Sequence, residues 1–242
     1  MLLGRMLDLN GKLKLHERCA VSTVRVGAEH QSVIVVDNFL SSPEVLIAYA
    51  AESAFDSVSD TFYPGCRAPI PAIYCFAIRA FLGHVIGEVF GLTPDNVTGE
   101  LSHFSLVTTP PQALKPVQRM PHFDTTNPKQ LAVLHYLCDP MHGGTSFYRH
   151  RHTGFEFVDE ARAPTYASAV TQELAALGAA PAKYICGDDA RFERTRSFPA
   201  AFNRVLIYQS INLHSADIEP AFGFESNPRL GRLTANSFFF YR

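Results

Sequence analysis

The sequence carries no excess of either charge: 21 Lys and Arg against 23 Asp and Glu leave a formal net charge of −2. No global field recruits nucleic acid or an anionic membrane, and neither is expected as a partner. Cysteine is scarce and odd in number, at Cys19, Cys66, Cys75, Cys138 and Cys186, with no Cys-x-x-Cys spacing. That argues against a disulfide framework or a structural zinc site and leaves free thiols in a reducing compartment. The N-terminal MLLGRMLDLNGKLKL is interrupted by Arg5, Asp8 and Lys12, so it lacks the unbroken apolar region of a signal peptide. No stretch reads as the roughly 18–20 apolar residues of a membrane span, so a soluble, cytoplasmic protein is expected. Internal repeats, low-complexity tracts and a clear linker are missing too, which makes residues 1–242 one domain in this reading.

What the chain does have is apolar mass: 47% of residues are hydrophobic and 18% charged, enough for a sizeable core. Ser32 to Phe39 reads as a strand. Ser41-Ser42-Pro43 then opens a helix reaching about Phe55, with Pro43 where a missing N–H costs nothing. Ile73 to Phe90 follows helical spacing and stops at Gly91. From about Thr98 short β-rich runs take over, separated by Pro, Gly and Asn: ELSHFSLVTT, PVQRMPHFDT, KQLAVLHYLC, TSFYRH, NRVLIYQS and RLTANSFFFYR. Such runs suggest a sandwich or barrel. A helical insertion near 164–177 interrupts them, and residues 1–97 supply a supporting strand and helices.

Within the second of these runs, His122-Phe123-Asp124 would project both polar side chains from one strand face, because strand residues alternate sides. A third ligand from another strand would complete a two-histidine, one-carboxylate face that leaves positions on an iron ion open. The motif alone carries little weight. Ten histidines and 23 carboxylates in 242 residues produce roughly one His-x-Asp/Glu by chance.

The surroundings of that motif resemble the 2-oxoglutarate/Fe(II) oxygenase superfamily. After PHFD, LAVLHYLCDPMHGGTSFYR is similar to that superfamily's strand, turn, Gly-Gly and return strand. FNRVLIYQSINLHSADIEP is similar to its penultimate strand, and RLTANSFFFYR to its last. The details LSHFSLVTTPP and QRMPHFD also resemble a poorly characterised bacterial subfamily, a domain of unknown function with a prolyl-hydroxylase-like HxD…H…R pattern. The resemblance spans Leu101 to Tyr241.

It implies a mainly β fold with flanking helices around a double-stranded β-helix, a cupin-like jelly roll. It implies His122, Asp124 and His214 as ligands of Fe(II), with 2-oxoglutarate and O2 as cosubstrates. It implies Arg232 as the partner of the distal carboxylate, through a bidentate fork that lysine reproduces poorly. Thr234 follows on the same face, and Gln118 shares strand parity with His122 if that strand is regular. The spacing departs from the pattern, since Arg232 follows His214 by 18 residues where about ten is usual, and the segment AFGFESNP must loop out. Arg229 is the rival. The implied activity is hydroxylation of an unactivated C–H, with release of succinate and CO2.

Other features have plainer readings. Gly143-Gly144 suits a tight turn. His150-Arg151-His152 reads as a solvated loop, His135 as a core position that packs or hydrogen-bonds, and Phe238 to Tyr241 as a strand buried on two sides. A metal-binding or sensor protein without turnover, or a 2-oxoglutarate-independent cupin, is the alternative. A small molecule, an amino acid or a peptide side chain fits as substrate equally well, and a homodimer is expected on general frequency alone.

Overall fold

The computed structural model describes residue 9 and residues 11–57, 63–219 and 223–242. Most of the N-terminal stretch read for a leader lies outside the described residues. Strands β1 (Ala20–Val26) and β2 (Gln31–Asp37) form a hairpin. Helix α1 (Glu44–Glu52) follows, with Pro43 as its N-cap and Glu44 in the first turn, where the helix dipole favours a carboxylate. It stops three residues short of the expected end because Ser53 turns extended. Next come β3 (Asp56–Ser57) and β4 (Gly65–Pro69), then α2 (Ala72–Phe90), which closes on Gly91 in the left-handed conformation as expected.

The rest is mainly β: β5 (Val97–Val107), β6 (Gln130–Tyr136), β7 (Gly144–His150), α3 (Ala163–Leu177), β8 (Phe192–Pro199), β9 (Val205–Gln209), β10 (His214–Asp217) and β11 (Leu233–Tyr241). An eight-stranded sheet runs β1-β2-β9-β6-β11-β5-β4-β3, and a smaller one runs β10-β7-β8. The described pairings are antiparallel. Two sheets face one another, with α1 and α2 on the outer side of the larger and α3 packed against the smaller. This is the mainly β jelly-roll class expected above. The large sheet also recruits β1, β2, β3 and β4 from before residue 98.

Alternation along each strand makes two cores from one sheet. Ile34, Val36, Val133, Ile207, Ala235 and Phe239 join Leu46, Tyr74, Ile78 and Leu82 of the helices. Their neighbours Val33, Val35, Leu134, Tyr136, Leu206 and Tyr208 turn the other way and meet Phe147 and Phe198 of the small sheet. The C-terminal aromatic run obeys the same rule. Phe239 and Tyr241 are buried on the helix side, while Phe238 and Phe240 are only half-buried on the inner face. Burial on both sides was expected there; the inner face is instead left partly open, as the wall of a cavity.

Against the expectation that no stretch is long and apolar enough to cross a membrane, helix α2 is so by length and composition, at a mean hydropathy of 1.5. Here Tyr74, Ala77, Ile78, Leu82 and Ile86 are buried in the outer core, and Arg79 pairs with Glu100 of β5. His135 ties this helix to the sheet. Its Nδ1 lies 3.0 Å from Tyr74 Oη and its Nε2 3.1 Å from Asn203 Oδ1. His150 departs from expectation. It ends β7 fully buried, with Nδ1 2.9 Å from Thr153 Oγ1 and Nε2 3.0 Å from Glu173 Oε2, because α3 folds over it; Arg151 and His152 are exposed.

Gly143 and Gly144 sit where the chain enters β7. Gly143 has φ +91°, and a Cβ there would lie 1.7 Å from the Asp217 carbonyl oxygen. At Gly144 the nearest atom would be Phe198 O at 2.2 Å. Glycine is needed here for close backbone approach more than for the turn itself.

A candidate metal centre between the sheets

The run expected as one penultimate strand is two. β9 ends at Gln209 in the large sheet, residues 210–213 cross the gap, and β10 begins at His214 in the small one. Across this crossover lies the segment carrying His122 and Asp124. It is not the regular strand predicted. Pro110, Pro111, Pro116 and Pro121 remove ladder donors, and the chain makes short 3-10 turns at Pro111–Ala113 and Pro116–Gln118. What remains is a single bridge. His122 and His214 exchange backbone hydrogen bonds, each 2.9 Å, and Asp124 N–H donates to Ser210 O at 2.8 Å. Both sequence-distant pieces are thereby fixed to each other by main chain.

The side chains follow. His122 Nε2 lies 3.6 Å from Asp124 Oδ1, and His214 Nε2 lies 3.9 Å from Asp124 Oδ2. One ligand atom from each of the three residues falls within 4.8 Å of the others. His214 Nδ1 is 2.9 Å from the Asn212 carbonyl, which only accepts, so Nδ1 carries the proton and Nε2 presents a lone pair. Asp124 Oδ2 is buried without a hydrogen-bond partner among the described residues. A buried, unpaired carboxylate oxygen among imidazole lone pairs is costly unless a cation fills the space, so the donor set fits a divalent metal of the borderline class. Burial holds the His122 imidazole well below its usual range, aided by His214 and Arg67. Burial also raises the Asp124 carboxyl, against the pull of His214, Ser210 and Arg67. Both shifts describe a dry site whose charges need one another.

A cavity of about 360 Å³ opens over these three residues, within the range of small-molecule sites. Arg232 stands at its deep end, just before β11, and is buried. Its Nε donates to His142 O at 3.1 Å and its Nη2 to Gly144 O at 2.8 Å, which fixes the guanidinium plane. Nη1 has no acceptor among the described residues. Arg229, the rival cation, is exposed and does not line the cavity. Part of AFGFESNP lies outside the described residues; the remainder turns on Asn227, whose carbonyl accepts from Gly231.

Thr234 is fully buried, and its hydroxyl donates to Ser105 O at 3.4 Å rather than lining the cavity. Gln118 does line it, from a 3-10 turn and not by the strand parity expected. Its amide donates to Tyr63 O at 3.1 Å and accepts from Lys115 N–H at 2.9 Å.

Among the lining residues not anticipated from the sequence are Tyr63, Arg67, Tyr184 and Tyr208. The alternation of VLIYQ, with Leu206 and Tyr208 inward, was a usable signal for the last. Arg67 sits in GCRAP, a five-residue strand with neither periodicity nor β-branched residues, and nothing local marked it.

No curated protein matches the sequence. A family profile described as "Family of unknown function (DUF6445)" matches residues 17–239. Among solved structures the chain is similar to HygX from Streptomyces hygroscopicus with nickel, 2-oxoglutarate and hygromycin B bound. Identity is 12%, coverage 88% of this chain and 84% of that one, and the TM-score 0.50. It is also similar to the non-heme alpha ketoglutarate dependent carbocyclase SnoK from nogalamycin biosynthesis, at 14% identity, 88% and 83% coverage, and TM-score 0.46. An N-substituted L-amino acid dioxygenase from Burkholderia ambifaria AMMD matches at 11%, 93% and 96%, and 0.43. At such identities the likeness to HygX is one of fold.

Proposed function

We propose a function for this chain, which belongs to the DUF6445 family: it is a non-haem Fe(II), 2-oxoglutarate-dependent oxygenase that hydroxylates an unactivated C–H. One observation carries the reading. Two imidazoles and an orphaned carboxylate converge within 4.8 Å on the wall of a cavity whose deep end holds a buried, pre-aimed arginine. A metal-storage or sensor site has no need of that second charge.

His122, Asp124 and His214 would hold the metal on one face, leaving the cavity side open. When bound, Fe(II) and 2-oxoglutarate supply the redox chemistry: R–H, 2-oxoglutarate and O2 yield R–OH, succinate and CO2. The protein's part is orientation and exclusion of water. Arg232 would take the distal carboxylate of 2-oxoglutarate through Nη1, its other edge being held by two carbonyls. Tyr63, Thr145 and Tyr184 line the same cavity. The Asn212 carbonyl keeps His214 in the tautomer that ligates. Tyr208, its ring 4.9 Å from that of His214, packs the imidazole against the large sheet.

The test needs no substrate. Anaerobic protein given Fe(II) and then 2-oxoglutarate should develop a visible metal-to-ligand charge-transfer band, absent in His214→Ala and weakened in Arg232→Ala. Tight iron binding with no such band would move the 2-oxoglutarate-independent reading ahead. No iron binding at all would end both.

A further inference from the structure

Arg67 is unused by the function just proposed. It points inward from β4, in the same cross-strand row as Ser105, Thr234 and Tyr136. It lines the cavity and is half-buried, and among the described residues no hydrogen bond or ion pair holds its guanidinium, whose Nε is buried without an acceptor there. The Tyr63 ring lies against it, its centroid 5.0 Å from the guanidinium carbon. Arg67 lines the same cavity as His122, Asp124 and His214. Arg232, by contrast, is already held by the carbonyls of His142 and Gly144. The two arginines therefore differ in what holds them: two carbonyls fix Arg232, and an aromatic ring lies against Arg67.

Charge balance says what Arg67 is for. Among the described lining residues Asp124 is the sole carboxylate, and Arg67 and Arg232 are the two fixed cations. Adding a divalent metal and doubly charged 2-oxoglutarate leaves the site with one uncompensated positive charge, whichever arginine meets which carboxylate. A half-buried, unpaired guanidinium is a standing demand for an anion. Leu101, Met120, Phe238 and Phe240 give the rest of the wall a largely apolar and aromatic surface, interrupted by Gln130 and Asn236. Among the described lining residues no second carboxylate is present to receive an ammonium.

We propose that the prime substrate is a monoanionic apolar carboxylic acid without a free amino group, whose carboxylate pairs with Arg67 while its aliphatic or aromatic body lies on Phe238 and Phe240. This rests on the oxygenase reading and narrows its substrate class. It also makes Arg67 a specificity-determining residue.

The probes are 3-phenylpropanoate and octanoate, their primary amides, and phenylalanine. Each is titrated by calorimetry into the anaerobic Fe(II)·2-oxoglutarate complex of the full chain and of Arg67→Gln and Arg67→Lys. At least one acid should bind at least tenfold more tightly than its amide and than phenylalanine. Arg67→Gln should erase that preference, Arg67→Lys should retain part of it, and 2-oxoglutarate affinity should stay within threefold. Acid and amide binding equally, or no acid binding, overturns the inference. So does a tenfold loss of 2-oxoglutarate affinity in Arg67→Gln without any acid preference, which would give Arg67 to the cosubstrate. The charge-transfer band in the same samples separates the two ideas. Its absence sinks the oxygenase reading, whereas an acid preference in metal-free protein that vanishes in Arg67→Gln would survive it.

Discussion

Acid should destabilise this protein in part through His135, a residue remote from the metal centre. The imidazole is fully buried between α2 and the sheet. Asn203 Oδ1 accepts from Leu40 N–H and its Nδ2 donates to Leu40 O, which fixes the amide and leaves Oδ1 to accept from His135 Nε2 as well. His135 Nδ1 must then accept from the Tyr74 hydroxyl. The neutral ring is satisfied at both nitrogens. A second proton would confront a hydroxyl with no room to reverse, and burial pushes the imidazole down to about 4.

In the unfolded chain the same group titrates near its ordinary ~6.5. Between these values the unfolded state holds a proton that the folded state lacks, so stability is full above about 6.5, falls as pH falls, and levels off below about 4. Going from about pH 7.5 to about pH 5 should remove about 2 kcal/mol, and the whole window about 3 kcal/mol. The assay is urea unfolding of the wild type and His135→Gln across this range. The difference between them cancels other buried groups, among them His122, whose shift has the same sign. The variant should be less stable at neutral pH, with the gap closing by about 2 kcal/mol at about pH 5. A gap constant to within about 0.5 kcal/mol would refute the protonation argument, although the packing argument would stand.

Three further outcomes are expected. Gly143→Ala, whose Cβ would meet a backbone carbonyl at 1.7 Å with φ +91°, should cost roughly 2–4 kcal/mol in urea unfolding; a cost under about 0.5 kcal/mol would mean β7 and β10 separate easily there. Arg232→Lys should weaken 2-oxoglutarate binding by roughly tenfold or more, read from the charge-transfer titration, because an ammonium cannot span two carbonyls and a carboxylate. Unchanged affinity would remove Arg232 from the cosubstrate site. Asn203→Ala and His135→Gln should be less than additive in stability, coupling by roughly 1 kcal/mol in a double-mutant cycle, since they share one hydrogen-bond network; strict additivity would show that the network is not cooperative.

The large elements were legible because their signals are periodic. Gln31–Asp37, Gln130–Tyr136 and Leu233–Tyr241 have dense apolar runs, and α2 has a glycine stop. The candidate site was legible for a different reason. His122, Asp124, His214 and Arg232 are polar residues embedded in a recognisable order, and the structure brings all four to one cavity. The local geometry was misread. Proline chemistry overrides strand pairing around His122, and one apolar run turned out to serve two sheets, a tertiary choice that no periodicity encodes. Arg67 was invisible because β4 is short, glycine- and proline-bounded, and defined by its pairing with β5 rather than by its own pattern. His150 was misjudged because its burial depends on Glu173, 23 residues away on α3.

The crossover at residues 210–213 bears on how the sequence can vary. That stretch takes the backbone hydrogen bond from Asp124 at one end and launches His214 at the other, and His214 is itself clipped to His122 by main chain. An inserted or deleted residue there would displace one corner of the triad by about 3 Å relative to the others, more than a coordination sphere tolerates. The loop joining α3 to β8 holds none of the three. Length, more than composition, should therefore be what natural and engineered variants keep fixed between Gln209 and His214, while insertions accumulate after Gly178.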